Sequence, residues 1–148
     1  MIRRATRIDY LRIAEIRNAV RENRPGKPEK IAALVEWLFE NSPIWVWEED
    51  GAIQGFSAAD WRDGSICALF VHSSYERRGI GRALLPHACE ELRTNGHVVA
   101  TLTTEPGTRA ERFYRADGWA EVARQDDGQI VFEKNLLKSG GTNASQSN

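Results

Sequence analysis

The sequence predicts an α/β domain built on a mixed, mostly antiparallel central sheet flanked by helices. Three observations carry this. Helix-period and strand-period segments follow one another in the order β-α-α-β-β-β-α-β-α-β-β, so the two classes alternate along the chain. Short turn signals at Glu49-Asp50-Gly51, Arg62-Asp63-Gly64 and Asp126-Asp127-Gly128 join neighbouring strand-like runs into hairpins. Between Leu69 and Leu85 a β-prone run passes through a basic, glycine-bearing turn into a helix start.

Ile2 to Arg7 is a short β-capable start. Asp9 is placed to cap a helix carrying Leu11, Ile13, Ile16 and Val20, which Arg24-Pro25-Gly26-Lys27 interrupts. Pro28 suits a first helical turn, and Ile31, Leu34, Val35, Leu38 and Phe39 follow the i, i+3, i+4, i+7, i+8 spacing of an amphipathic helix that Asn41-Ser42-Pro43 ends. Strands at Ile44–Glu48, Ile53–Asp60 and Ser65–Val71 form a meander. In the next helix Leu84, Leu85, Ala88 and Leu92 share a face, while Pro86 removes an amide and crowds the Arg82 carbonyl, which predicts a kink or a later regular start. Asn95-Gly96 stops it, and His97–Thr103 reads as a buried strand. Thr108 and Glu111 form a capping box that opens a helix closed by Asp117-Gly118, and Trp119–Arg124 with Gln129–Asn135 make a last hairpin.

A chain of 148 residues suits one domain, expected over residues 1–137, with 138–148 as a flexible tail lacking apolar residues. The 20 basic side chains balance 21 acidic ones, which argues against a nucleic-acid coat, so any phosphate recognition must be local. Cys67 and Cys89 lack the spacing of a zinc site or a disulfide framework and are expected as buried, reduced thiols; no metal is expected. No apolar signal core and no membrane-length run is visible, so the cytoplasm is the expected location and no membrane partner is expected.

The richest stretch is Arg77-Arg78-Gly79-Ile80-Gly81-Arg82. Glycines allow a tight turn and close approach of a ligand, and a helix N-terminus favours negative charge, so a phosphate or pyrophosphate is the expected guest. A Rossmann fingerprint would need a third glycine where Leu84 stands, and the Gly-Lys-Ser/Thr end of a P-loop is missing.

Two stretches together resemble the GNAT superfamily, the Gcn5-related N-acetyltransferases. Val71-His72-Ser73-Ser74-Tyr75-Glu76-Arg77-Arg78-Gly79-Ile80-Gly81 is similar to that family's acetyl-CoA loop, Q/R-x-x-G-x-G/A, and Ala110–Trp119 (AERFYRADGW) is similar to its later helix with an FY…GF ending. The resemblance spans Ile2 to Leu136 in element order and implies an acyl-CoA N-acyltransferase fold, with acetyl-CoA as cosubstrate and a primary amine of a small molecule or peptide as acceptor. By the same analogy a homodimer is expected. The chain departs from the family at Glu76, where Gln or Arg is usual, and at Gly107, where an Asn seven residues before the tyrosine is frequent. Glu76 either faces the pyrophosphate and weakens binding or points to solvent.

By resemblance, the backbone of Leu69, Phe70 and Val71 receives the pantetheine and thioester. The loop Arg77, Arg78, Gly79, Ile80, Gly81 and Arg82 holds the pyrophosphate, and Tyr114 is the general acid for the leaving thiolate. An alkylamine with a pKa near ~10.4 is mostly ammonium at neutral pH, and freeing its lone pair costs about 4 kcal/mol. Something must take that proton: Glu105 is the leading candidate because it ends the strand before the tyrosine helix, with His72 and Asp60 behind it, and a water chain is the alternative to all three. Trp37, Trp45, Trp47, Trp61 and Trp119 could line an acceptor site or simply pack. The alternatives are a catalytically silent acyl-CoA-binding or regulatory domain, and a phosphate-binding module unrelated to CoA.

Overall fold

Among the described residues seven strands form one sheet in the order β1-β2-β3-β4-β5-β7-β6: β1 (Ile2–Arg4), β2 (Ile44–Glu49), β3 (Ala52–Asp60), β4 (Ser65–Val71), β5 (Val99–Thr104), β6 (Ala120–Arg124) and β7 (Ile130–Asn135). Among the described residues four α-helices cover it: α1 (Tyr10–Ala19), α2 (Pro28–Asn41), α3 (Ile80–Thr94) and α4 (Arg109–Ala116). The computed structural model describes residues 1–19 and 28–137; the expected break at Arg24–Lys27, Val20, and the tail from Lys138 lie outside the described residues. Every neighbouring pair is antiparallel except β4 with β5, which α3 connects as a parallel crossover. This is the mixed, mostly antiparallel α/β sheet that the sequence predicts.

The hairpin turns follow their residue chemistry. Asp50 and Gly51, at φ 54° and 76°, are the two positive-φ residues that a two-residue hairpin turn needs. Two cores flank the sheet. On one face Ile13 and Ile16 of α1 and Leu38 of α2 pack on Ile44, Val46, Phe56 and Ala58; on the other, Leu85, Ala88 and Leu92 of α3 and Tyr114 of α4 pack with Ala100, Leu102, Trp119, Ile130 and Phe132.

Several local expectations shift. β1 stops at Arg4, and a short 3-10 helix at Arg7–Asp9 leads into α1. The cap there is Thr6 rather than Asp9: the Asp9 carboxylate accepts from the Thr6 amide at 2.8 Å and is gripped by the Arg3 guanidinium at 2.9 and 3.0 Å. Leu11 is 79% exposed, so α1 turns Ile13 and Ile16 inward without it. Pro86 does not delay α3, which runs unbroken from Ile80, with Pro86 on its exposed side. β5 begins at Val99 and β6 at Ala120; His97 instead donates from Nε2 to the Trp61 carbonyl at 2.7 Å, and Trp119 sits in the core.

Two bulges shape β3 and β4, beside a third that leaves Val122 as an extra residue on β6. Trp47 pairs with Gly55 but Glu48 with Ile53, so Gln54 is an extra residue on β3; Ala58 pairs with Ala68 but Ala59 with Ile66, so Cys67 is an extra residue on β4. A bulge bends and twists its strand. Beyond Cys67, β4 leaves β5: the two strands register at Ser65 with Thr101 alone.

Candidate active site

The divergence of β4 and β5 opens a wedge at their C-terminal ends. His72 N donates to the Gln54 carbonyl at 2.9 Å, which makes that opposed pair hydrogen-bonded. Antiparallel ladders alternate, so Phe70 also bonds to β3, opposite Phe56, while the N–H and C=O of Val71 and Leu69 turn away from β3 toward the wedge. Of the three strand residues singled out from the sequence, two therefore offer backbone to a guest, and Phe70 is engaged in the ladder. Their side chains still pack: Leu69 against the α3/α4 core, Phe70 stacked on Phe56 at 5.2 Å.

The polar loop closes the end of the wedge. His72 Nδ1 accepts from Ser74 N at 3.1 Å, capping a 3-10 turn at Ser73–Tyr75, and Arg78 lies over the Tyr75 ring at 5.5 Å. Arg77 and Gly79 both take left-handed backbone, φ 66° and 79°. Gly79 is the N-cap of α3 and supplies no side-chain cap, and the first turn holds no acidic residue. The amides of Ile80, Gly81 and Arg82 are thus the orphan donors of a helix start. A Cβ on Gly81 would stand 3.8 Å from both Val71 Cγ2 and Phe113 Cζ, which ties loop, β4 and α4 together around the wedge.

The far wall is β5 and α4. Thr108 Oγ1 accepts from Glu111 N at 3.1 Å, as the capping box predicts, but the Glu111 carboxylate accepts from Gly107 N at 2.7 Å rather than from the cap residue itself. Glu105 follows the last residue of β5; its carbonyl accepts from Thr108 Oγ1 at 2.8 Å, and one carboxylate oxygen is buried. Tyr114 is 8% exposed among Phe113, Trp119 and Phe132, and burial, then the nearby Cys89 and Asp117, push its phenol pKa up. It is therefore a neutral hydrogen-bond donor at neutral pH.

Glu76 neither points free into solvent nor stands alone by the loop: its carboxylate is ion-paired with Arg109, the first residue of α4. The two other base candidates are otherwise occupied. Asp60 lies opposite Ser65, at the start of β4 and roughly 20 Å from its Val71 end, with its carboxylate held on Arg62 at 3.0 and 2.9 Å and its pKa lowered by that guanidinium. His72 uses its Nδ1 lone pair on Ser74, so the neutral ring carries its proton on Nε2 and has no lone pair to spare. The tryptophans do not converge: Trp37 meets Trp61 edge-on beside Arg62, Trp45 meets His87, Trp47 donates to Glu49, and Trp119 is in the core. Burial pushes the Cys67 and Cys89 thiols up, to about 12 and about 11, which leaves both inert.

Three residues of this region escape a reading of the sequence. Gly55 lets α3 sit down on β3: a Cβ there would meet the Phe70 carbonyl at 2.9 Å and Ile80 Cγ2 at 3.1 Å. A lone glycine inside a strand run is a signal for such close approach. Gln54, beside it, is 4% exposed with an Oε1 that finds no partner among the described residues. Arg109 has a fainter signal, a cation at the first position of a helix, where the dipole disfavours it.

Among the described residues no group of three or more His, Cys, Asp and Glu is placed to hold a metal ion, and no helix is long and apolar enough to cross a membrane. Residues 10–119 match the family model described as "Acetyltransferase (GNAT) family". The chain is similar to the peptidyl-lysine N-acetyltransferase YiaC of Escherichia coli K12, 34% identical over 93 residues, which are 61% of this chain and 60% of that protein. It is also similar to the L-methionine sulfoximine/L-methionine sulfone acetyltransferase of Salmonella typhimurium LT2, 28% identical over 98 residues, 61% of this chain and 57% of that one. The matches thus span about three fifths of each curated relative's length. The fold superposes on yncA of Salmonella typhimurium, solved with acetyl-CoA, with a TM-score of 0.73 at 24% identity, covering 92% of this chain and 93% of that one.

Proposed function

The chain belongs to the GNAT acetyltransferase family, and from that premise we propose that it is an N-acetyltransferase carrying an acetyl group from acetyl-CoA to a primary amine of a peptide or small molecule. The observation that carries the reading is the wedge between β4 and β5, lined by the outward backbone of Leu69 and Val71 and ending on the uncapped start of α3. That donor set suits an extended amide-bearing arm joined to a pyrophosphate. The arm's amides would pair with the strand edge, and the amides of Arg78 to Arg82 would hold the phosphates, with Arg77, Arg78 and Arg82 adding charge.

In this reading the acceptor nitrogen attacks the thioester carbonyl directly in a ternary complex: a C–N bond forms, the C–S bond breaks, and the sulfur leaves with the electron pair and takes up the second proton, which the nitrogen sheds as it becomes an amide. The strand amide facing the wedge donates to the carbonyl oxygen as charge develops there. Glu105 takes the ammonium proton, directly or through one water, before attack. Tyr114 steadies the leaving thiolate by donating its phenolic hydrogen bond. Full transfer from Tyr114 is uphill, because its pKa is raised while a thiol titrates near ~8.5, so its contribution is a hydrogen bond more than a proton.

The relatives' names supply the panel for a test: lysine-bearing peptides and small amino acids such as methionine sulfone. Thiol release from acetyl-CoA should rise saturably with at least one amine. Gly81→Glu should abolish cofactor binding, since its side chain starts 3.8 Å from Val71 Cγ2 and enters the wedge with a negative charge. Saturable binding that survives in Gly81→Glu would remove the loop from the assignment. The near-complete burial of Tyr114 favours, as a second reading, a domain that binds acyl-CoA without turnover; tight binding with no thiol release on any amine would select it.

A further inference from the structure

We propose that Arg109 is a phosphate-binding residue of the cofactor site, held at the mouth of the wedge by Glu76 and transferred to the cofactor's phosphates when they enter. The proposal rests on the cofactor reading above. The Glu76 to Arg109 ion pair joins the first position of the glycine loop to the first residue of α4, the two elements on either side of the wedge. Both partners are part-exposed, 33% for the Glu76 side chain and 47% for Arg109, so the pair sits where a solute can reach it.

Neither partner is where its own element would want it. A cation at the N-terminus of α4 opposes the helix dipole. A carboxylate at the loop's first position lies three residues before the α3 N-cap Gly79, close to amides expected to hold an anion. Each misplacement answers the other. Glu76 neutralises Arg109 while the site is empty of phosphate. An entering phosphate carries more charge than a carboxylate and accepts the same bidentate fork, so it can displace Glu76 from the guanidinium. The positive charge that an Arg at position 76 would supply from the loop then comes from α4 instead. No bond is made or broken; one anion replaces another on Arg109.

The test is a double-substitution cycle read by calorimetry with coenzyme A and, separately, acetyl-pantetheine, which keeps the arm and lacks the phosphates. R109A should weaken coenzyme A roughly tenfold, and E76Q should tighten it several-fold by removing the competitor. In an R109A background E76Q should have no effect, and acetyl-pantetheine should bind all four proteins alike. R109K keeps the charge but not the fork and should fall between wild type and R109A; thermal melts of each variant report its folding separately. E76Q that leaves coenzyme A affinity unchanged or weaker, or an R109A loss of the same size for acetyl-pantetheine, overturns the proposal and leaves the cofactor reading standing. A wild-type protein that binds neither ligand overturns both.

Discussion

Tyr114 and Gln54 show how differently two buried polar residues can behave. The Tyr114 phenol packs in the core with its pKa raised by burial, so it remains protonated across the pH range of a transferase assay. Tyr114→Phe should therefore leave coenzyme A affinity and folding stability nearly unchanged while lowering kcat by roughly 10- to 100-fold, at or below the low end of general-acid effects, because a thiolate is already a fair leaving group. Stopped assays with saturating acetyl-CoA check the first part and thermal melts the second. A loss of affinity as large as the loss of kcat would reassign Tyr114 to binding. Gln54 is the opposite case: its buried Oε1 has no partner among the described residues, and an idle acceptor costs about 1–3 kcal/mol. Gln54→Met, similar in shape and lacking that acceptor, should raise the melting temperature. A lower one would mean that the amide makes contacts essential to the β3 bulge.

At the scale of elements, α3 owes its position to β3. Ser57 Oγ donates to the Leu84 carbonyl at 2.9 Å, and Gly55 clears the space into which Ile80 and Leu84 descend. Gly55→Ala should cost about 1–3 kcal/mol by overpacking, because the nearest obstacle is the Phe70 backbone rather than a flexible side chain. It should also weaken coenzyme A binding, since the start of α3 carries the loop amides; denaturant melts and calorimetry on one variant separate the two effects. This dependence explains what a reading of the sequence can reach. The Asp50-Gly51 turn, the Thr108 cap and the Leu84, Leu85, Ala88 and Leu92 face are local, set by residues within a few positions of one another, and all are legible. The bulges at Gln54 and Cys67 and the pairing of Glu76 with Arg109 depend on which strands and helices end up adjacent, and no local pattern encodes that. The Asp9 cap fails for an intermediate reason: Thr6 and Asp9 are both capping types three residues apart, and the Arg3 guanidinium decides by drawing Asp9 into an ion pair.

Over the whole molecule, the same split between β4 and β5 that opens the wedge divides the sheet into halves with separate electrostatic fastenings. In the N-terminal half Arg3 grips Asp9 and Glu48, tying β1 to β2 and to the approach of α1, and Arg62 grips Asp60 at the β3 to β4 turn. In the C-terminal half Arg115 and Arg124 share Glu121, and Arg115 also holds Glu111, tying α4 to β6. The guanidiniums lower the pKa of Asp9, Asp60, Glu48 and Glu121, the last to about 2; Glu111 is lowered first by the Gly107 amide and then by Arg115. A carboxylate whose folded pKa lies below its unfolded value contributes stability that is fully present above the unfolded value and is lost as pH falls through the folded one. The melting temperature should therefore hold level from neutrality down to about pH 5 and decline below about pH 4, where the unfolded chain takes up protons that the folded one refuses. Of the two acids that Arg3 grips, Asp9 is the more enclosed, its side chain 11% exposed against 30% for Glu48, so its share is the less screened by solvent. Asp9→Asn should lower the melting temperature at neutral pH, flatten the acid decline, and converge on the wild-type curve at the acid end, where Asp9 is protonated in both states. Calorimetric scans at a series of pH values decide the matter: parallel curves for the two proteins would show that Asp9 contributes through shape and hydrogen bonding, and that its charge in the Arg3 clasp adds nothing to the fold.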